Sequence, residues 1–357
     1  MNPLNQQVSE TLTERRAELT AQMVAREFAR HPELEQRYGK IGREKCLQDA
    51  GYHLAYLAQA IAADDPSLFG NYIGWAKVML SKRGVPEKDL GGLLGSMKES
   101  LAAELPPEAS GLACRYLDVA LEQLPGMAAD VLTFIPCDAP LAALAAQFLE
   151  ALLAGKRDIA NRLILDAVQQ GVAVRDLYLF VFQRTQYEIG RLWQVNKISV
   201  AQEHYCSAAT QLIMSQLYPH IFGAEKTRGT LVATCVSGDL HEIGVRMVSD
   251  FFEMDGWNTH YLGANVPSSS VVQTLIEQKA DVLAISATIS YHVGAVEALI
   301  AAVRRAPGCE GVKILVGGYP FKVAPDLWKK IGADGFASDA TGAVALGNRL
   351  AGFPLAA

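Results

Sequence analysis

From residue 229 onward the chain alternates short apolar runs with helical segments, and no other feature restricts its fold as strongly. "TLVATCV" is an apolar run of a length suited to a buried strand, and "HEIGVRMVSDFFEMDG" follows as a helix stopped by Gly256. "NTHYLG", "DVLAIS", "VKILVGG" and "GFASD" repeat the theme, with helices predicted at about 268–279 and 293–306, a short helix before "GFASD" and a last one after it. Five strands alternating with five helices predict a parallel, doubly wound, flavodoxin-like sheet covered on both faces. Such sheets bind ligands beyond the carboxyl ends of their strands. The informative residues are therefore expected just after each strand.

The preceding chain reads as helix. Residues 1–130 form a predicted N-terminal helical domain, with apolar residues at helical spacing in "GREKCLQDAGYHLAYLAQAIAA" and "DDPSLFGNYIGWAKVMLSKRG" and breaks at "LPPEASG" and "LPGMAAD". Residues 138–222 give four helices, near 139–154, 156–170, 174–194 and 199–219. Gly155 and Gly171 punctuate them, and Ser199 with Gln202 makes a capping-box pattern. Short connections predict a four-helix bundle. The sheet domain is expected over 228–357. A formal charge of −6 argues against a broad nucleic-acid surface. No signal-peptide pattern opens the chain, and the longest apolar stretch contains Gln147 and Glu150, so no membrane span is expected. The six cysteines are scattered without a C-x-x-C pair, which speaks against a zinc site or disulfide framework and for a reducing cytoplasm.

Three elements lie where a ligand would. After the first strand comes Asp239-Leu240-His241-Glu242-Ile243-Gly244, after the third Ser286-Ala287-Thr288, and after the fourth Gly317-Gly318. Asp239 either caps the following helix, with Glu242 closing a capping box, or holds the ring of a metal-binding His241. Gly244, Gly317 and Gly318 leave backbone that a bulky ligand can approach. The capping alternative does not account for Ser286 or the Gly317-Gly318 pair at matching strand ends.

These residues resemble the cobalamin-binding domain of methionine synthase and methylmalonyl-CoA mutase, over 229 to about 350. The resemblance implies that cobalamin binds with its own base displaced. His241 would be the lower axial cobalt ligand, Asp239 would orient it, and Ser286, Gly317 and Gly318 would line the slot for the nucleotide tail. Thr288 stands where methyl-transfer members often carry Leu. His292, shortly after the third strand, either touches the corrin rim or caps a helix.

In the bundle, Trp193 is followed after nine residues by Glu203-His204. Each has an ordinary alternative: a core anchor for Trp193, a favourable charge near a helix N-terminus for Glu203. The spacing resembles the light-sensing cobalamin domains of MerR-type carotenoid regulators, over roughly 139–350. That resemblance implies adenosylcobalamin, with Trp193 capping the adenosyl group, Glu203 contacting it and His204 supporting the pocket. It further implies light cleavage of the cobalt–carbon bond. Gln194 replaces the His that often follows the Trp, and an amide is a poorer cobalt ligand than imidazole. No winged helix or basic recognition helix is evident. The overall layout resembles the photocobilins, which combine cobalamin with a biliverdin-type bilin. His53, the neighbouring tyrosines and Lys77 or Arg83 would then serve a non-covalent bilin, against the plainer reading of an aromatic stripe (Phe69, Tyr72, Trp75) as helical core. The expected function is a non-enzymatic cytoplasmic photoreceptor. It would change conformation and assemble as a light-dependent homo-oligomer, acting on an unknown downstream protein without nucleic acid or membrane. The alternative is a corrinoid shuttle of a methyltransferase system.

Overall fold

In the computed structural model, residues 2–223 and 225–354 are described; Met1 and the last three residues of the two terminal domain expectations lie outside them. The five apolar runs form strands β1 (Thr230–Cys235), β2 (Asn258–Gly263), β3 (Val282–Ser286), β4 (Lys313–Gly317) and β5 (Gly335–Phe336). Every pair is parallel and the order is β2-β1-β3-β4-β5, the doubly wound arrangement predicted. β1, β3 and β4 are buried along nearly all their length, and mostly apolar, because helices cover both faces. The register sets Cys235 opposite Ser286 and Ser286 opposite Gly317, so the chain leaves these three strands at one level. Strand order reverses between β1 and β3, which creates a crevice at that end of the sheet.

The four helices before the sheet run over Ala142–Leu153, Arg157–Gln169, 174–194 and Val200–Gln216. Ser199 and Gln202 cap the last of these reciprocally, as its sequence predicts. The third contains a π-helical stretch, Leu177–Phe182, which its periodicity does not reveal. Bundle and sheet share a core in which Phe148, Tyr178, Phe182, Met214, Phe251 and Trp257 are buried together. Polar links cross it. The Tyr178 hydroxyl donates to Asp250 Oδ2 at 2.7 Å, and Arg246 donates to the Gln211 carbonyl, Ser215 Oγ and Tyr218 Oη.

The N-terminal helices are Pro3–Glu14, Arg16–Arg30, Glu33–Ala62, Pro66–Ser81, Glu87–Glu104 and Pro107–Gln123. The third kinks at Gly39, whose φ of +61° is open to glycine. The residues divide into two compact units. One holds the chain up to 129 with segments 287–298 and 319–332; the other holds 130–286, 299–318 and 333–357. Bundle and strands thus share one unit, while the two segments that follow β3 and β4 cluster with the N-terminal helices.

Within that helical unit His53 is 2% exposed. Its Nδ1 pairs with the Tyr72 hydroxyl at 2.8 Å, and its Nε2 has no partner among the described residues. Tyr72 in turn stacks on Tyr56, with ring centroids 3.7 Å apart. Lys77 is no free cation for a ligand carboxylate: its Nζ donates to the carbonyls of Leu124 and Met127 and pairs with Glu87, each at 2.8 Å. Burial pushes the His53 imidazole down to about 4. A depressed imidazole is neutral when folded but takes a proton below about pH 6.5 when unfolded. The stability it supports is whole above that pH and lost as pH falls toward 4. Urea unfolding at pH 7.5 and pH 5 should therefore show His53→Gln losing about 2 kcal/mol less than wild type between the two. Equal losses would contradict this assignment.

Candidate functional site

The loop after β1 is built around a buried carboxylate. Asp239 is fully inaccessible. Its Oδ1 accepts the backbone N–H of His241 at 3.0 Å and the ring Nδ1–H of His241 at 2.8 Å. A buried carboxylate is costly without such donors, so the loop and the ring hold each other in place. The turn is fixed from β2's side as well. Gly238, at φ +87°, donates to Asn265 Oδ1 at 2.8 Å, and the Asn265 N–H donates to the Asp239 carbonyl at 3.1 Å. The helix that follows begins only at Ile243 and has no side-chain cap. Asp239 and Glu242 therefore form no capping box, and of the two sequence alternatives the ring-holding one describes this loop.

The His241 side chain is 58% exposed although its Nδ1 is tied down. The hydrogen bond to Asp239 raises its proton affinity, burial opposes this, and the charges of Asp239 and Glu203 add to the rise. Glu203, in the first turn of Val200–Gln216, thus lies within electrostatic reach of His241. Its carboxylate also accepts from Ser207 Oγ at 3.0 Å and pairs with His204 Nδ1 at 2.6 Å. Ser207 further donates to Gln186 on the neighbouring helix. Trp193 is half-buried in the last turn of that neighbour, beside the buried Gln194. His204 is 73% exposed.

Ser286, Gly317 and Gly318 stand half-buried at the aligned ends of β3 and β4. Gly318 has φ +104°, a conformation that side chains resist. Gly244 is exposed, and a Cβ there would meet nothing within 4 Å. Thr288 is half-buried and His292 buried in the segment that clusters with the N-terminal helices. Sequence reasoning missed Asn265, and missed Glu242 as a bridge: Glu242 accepts from Gln211 of the bundle at 3.0 Å and from the Tyr261 hydroxyl at 2.9 Å. Applying the strand-end rule to β2 as well would have pointed to Asn265.

These residues fit a corrin. A cobalt whose equatorial positions are filled by a macrocycle asks the protein for one axial donor, and an imidazole whose second nitrogen is held by a carboxylate suits that role. Among the described residues no three His, Cys, Asp or Glu side chains gather as a metal cluster of the protein's own. His241 meets the requirement at the end of β1, beside the open backbone of Gly244.

Comparison with known proteins bears on the same residues. Residues 229–346 match a B12 binding domain model, and 144–218 match a second model of that description. Residues 4–124 match the Phycobilisome protein model. The dimethylamine corrinoid protein of Methanosarcina barkeri is 30% identical over 166 residues, covering 46% of this chain and 75% of that protein. Dimethylamine corrinoid protein 3 of Methanosarcina acetivorans is 35% identical over 129 residues, and this chain spans 59% of its length. A corrinoid protein of Desulfitobacterium hafniense is 26% identical over 208 residues, 95% of its length. Among solved structures, the monomethylamine corrinoid protein of Methanosarcina barkeri superposes with a TM-score of 0.53 at 22% identity, covering 59% of this chain and all of that one, a likeness of fold. These relatives overturn the expected photoreceptor. With it go the light-cleaved bond, biliverdin as a second chromophore, light-dependent assembly and a signalling output. The relatives named above are corrinoid proteins, two of them dimethylamine corrinoid proteins, and none is described as light-responsive. Trp193 and Glu203-His204 do not by themselves decide between the two kinds of protein.

Asp239→Asn keeps an acceptor for the His241 N–H but removes the charge that holds the ring. Absorbance titration with hydroxocobalamin should show roughly 10–100-fold weaker binding than wild type; unchanged affinity would contradict the role given to Asp239.

Proposed function

This chain belongs to the family of B12-binding corrinoid proteins, and from that premise we propose that it is a corrinoid shuttle, carrying a methyl group between partner methyltransferases. The observation that carries the reading is the His241–Asp239 pair, a ring tied through Nδ1 at 2.8 Å and exposed on its other side, at the strand end where doubly wound sheets bind ligands. When bound, cobalamin supplies a cobalt that accepts and gives up methyl groups. The chain's own residues position it. His241 would hold the cobalt through the ring nitrogen left exposed, and Asp239 sets the ring's tautomer and direction. Gly244 leaves room for the macrocycle, and Ser286, Gly317 and Gly318 line the slot for the nucleotide tail, with Thr288 following in the next segment. Trp193 and Glu203 would close the site from the bundle, and His204 steadies Glu203 through their ion pair.

Under this reading the upper ligand is methyl rather than adenosyl, and the unknown partner protein is a methyltransferase. The carrier itself is not the catalyst. Among the described residues no helix is long and apolar enough to cross a membrane. A reducing cytoplasm is proposed as its compartment, in keeping with six unpaired cysteines. For the N-terminal domain we propose a non-covalent bilin near His53, as a bound ligand without a light-sensing role. The Phycobilisome protein match over 4–124 supports it, as does the partnerless buried Nε2 of His53.

The full chain loaded with hydroxocobalamin, reduced and exposed to iodomethane should take up a methyl group. The uptake should be visible in the absorbance spectrum, and the loaded chain should then yield a methyl thioether and reduced cobalt when a thiol and a thiol-activating corrinoid methyltransferase are added. A reduced, loaded protein that takes up no methyl group contradicts the shuttle.

A further inference from the structure

The segments that leave β3 and β4 do not cluster with the strands they follow. Residues 287–298 and 319–332 form one compact unit with the N-terminal helices, and each is fastened there by a hydrogen bond. Gln59, near the end of helix Glu33–Ala62, accepts the Gly294 N–H through Oε1 at 3.2 Å. A Cβ at 294 would fall 2.8 Å from that oxygen, so a side chain there would push the Gln59 amide aside. Asn71 Nδ2, on helix Pro66–Ser81, donates to the Tyr319 hydroxyl at 3.1 Å. Lys330 Nζ donates to the Asp64 carbonyl at 2.7 Å, just past the end of Glu33–Ala62, where a cation also complements the helix dipole. Asp64 holds this position at φ +51° and is itself secured by Asn5 Nδ2 at 2.9 Å.

Segment 287–298 begins directly after Ser286, and 319–332 directly after Gly318. We infer that Gln59, Asn71 and Lys330 are positioning residues for the corrinoid: by anchoring these two segments, the N-terminal domain fixes the path of the chain out of β3 and β4 and so slows release of the nucleotide tail. The inference rests on the tail slot proposed above. A loop fixed before the ligand arrives costs less to order on binding, and an anchored loop opens less often. The anchoring domain therefore sets how long the cofactor stays, without touching cobalt.

The test uses the full chain carrying Gln59→Ala, Asn71→Ala and Lys330→Ala together. Lys329→Ala serves as the control, because Lys329 lies on the same segment but pairs only locally with Asp326. Circular dichroism and sizing should match wild type. Amide hydrogen exchange in the cobalamin-free triple variant should speed up in 287–298 and 319–332. Release of bound hydroxocobalamin into excess competing binder should be about tenfold faster, the size expected from losing roughly one net hydrogen bond. The control should change neither readout. Unchanged release overturns the inference, whether or not exchange accelerates, and so does faster release with unchanged exchange. A wild-type chain that retains no cobalamin removes the tail-slot reading itself, a result distinct from either of these.

Discussion

The molecule's functional geometry depends on one buried carboxylate. Asp239 has no access to water, and its Oδ1 is met by the backbone and the ring of a residue two positions on. Losing either donor would weaken the compensation of a charge held inside the protein, at a cost of about 1–3 kcal/mol. The loop therefore has little freedom, and the imidazole it carries has less. The rest of the sheet's upper end conforms to this fixed point. Asn265 pins the turn from β2, and the register levels Ser286 and Gly317 with the end of β1. Gly244 keeps the approach clear.

The bundle completes the site by being held to the same core rather than by contact alone. Tyr178 bonds Asp250, Arg246 reaches three acceptors around the end of helix Val200–Gln216, and Gln211 bonds Glu242. Apolar packing between the layers would tolerate small slides. Directional bonds between buried polar groups do not, since each misalignment strands a donor or acceptor. The helix carrying Glu203 is thereby kept in register with the loop that carries His241. Glu203 makes itself felt there, adding to the proton affinity of His241.

Much of this was legible in the sequence, for physical reasons that differ by element. Buried parallel strands must be short and apolar, so β1, β3 and β4 stand out by composition alone, while β5 shrinks to two residues under helix Ala340–Ala351, where Gly335 admits Leu346. The His241–Asp239 pair was readable because chemistry requires those two residue types close together at a strand end. The D-x-x-E pattern suggested a cap as well, and only the loop's real path, with its helix delayed to Ile243, separates the two. Asn265 and the Glu242 bridge were not legible, because they depend on how distant segments meet. The upper face misled for a deeper reason. An indole and a carboxylate with nine residues between them fix no ligand, because the group that would lie beside them belongs to the cofactor and the sequence does not encode it. Lys77 shows the same limit: a cation at helical spacing looks available to a ligand until the carbonyls of Leu124 and Met127 are seen to use it.

The central claim is that His241, and not the cofactor's own base, ligates cobalt from below. Electron paramagnetic resonance of the reduced cobalt(II) form, prepared with uniformly nitrogen-15-labelled protein and unlabelled cobalamin, tests it most directly. If the axial nitrogen comes from the protein, each superhyperfine triplet seen with unlabelled protein becomes a doublet, and the doublets disappear in His241→Ala. Triplets that persist with the labelled protein would mean the cofactor has kept its own base, and the account given for Asp239 and His241 would be wrong.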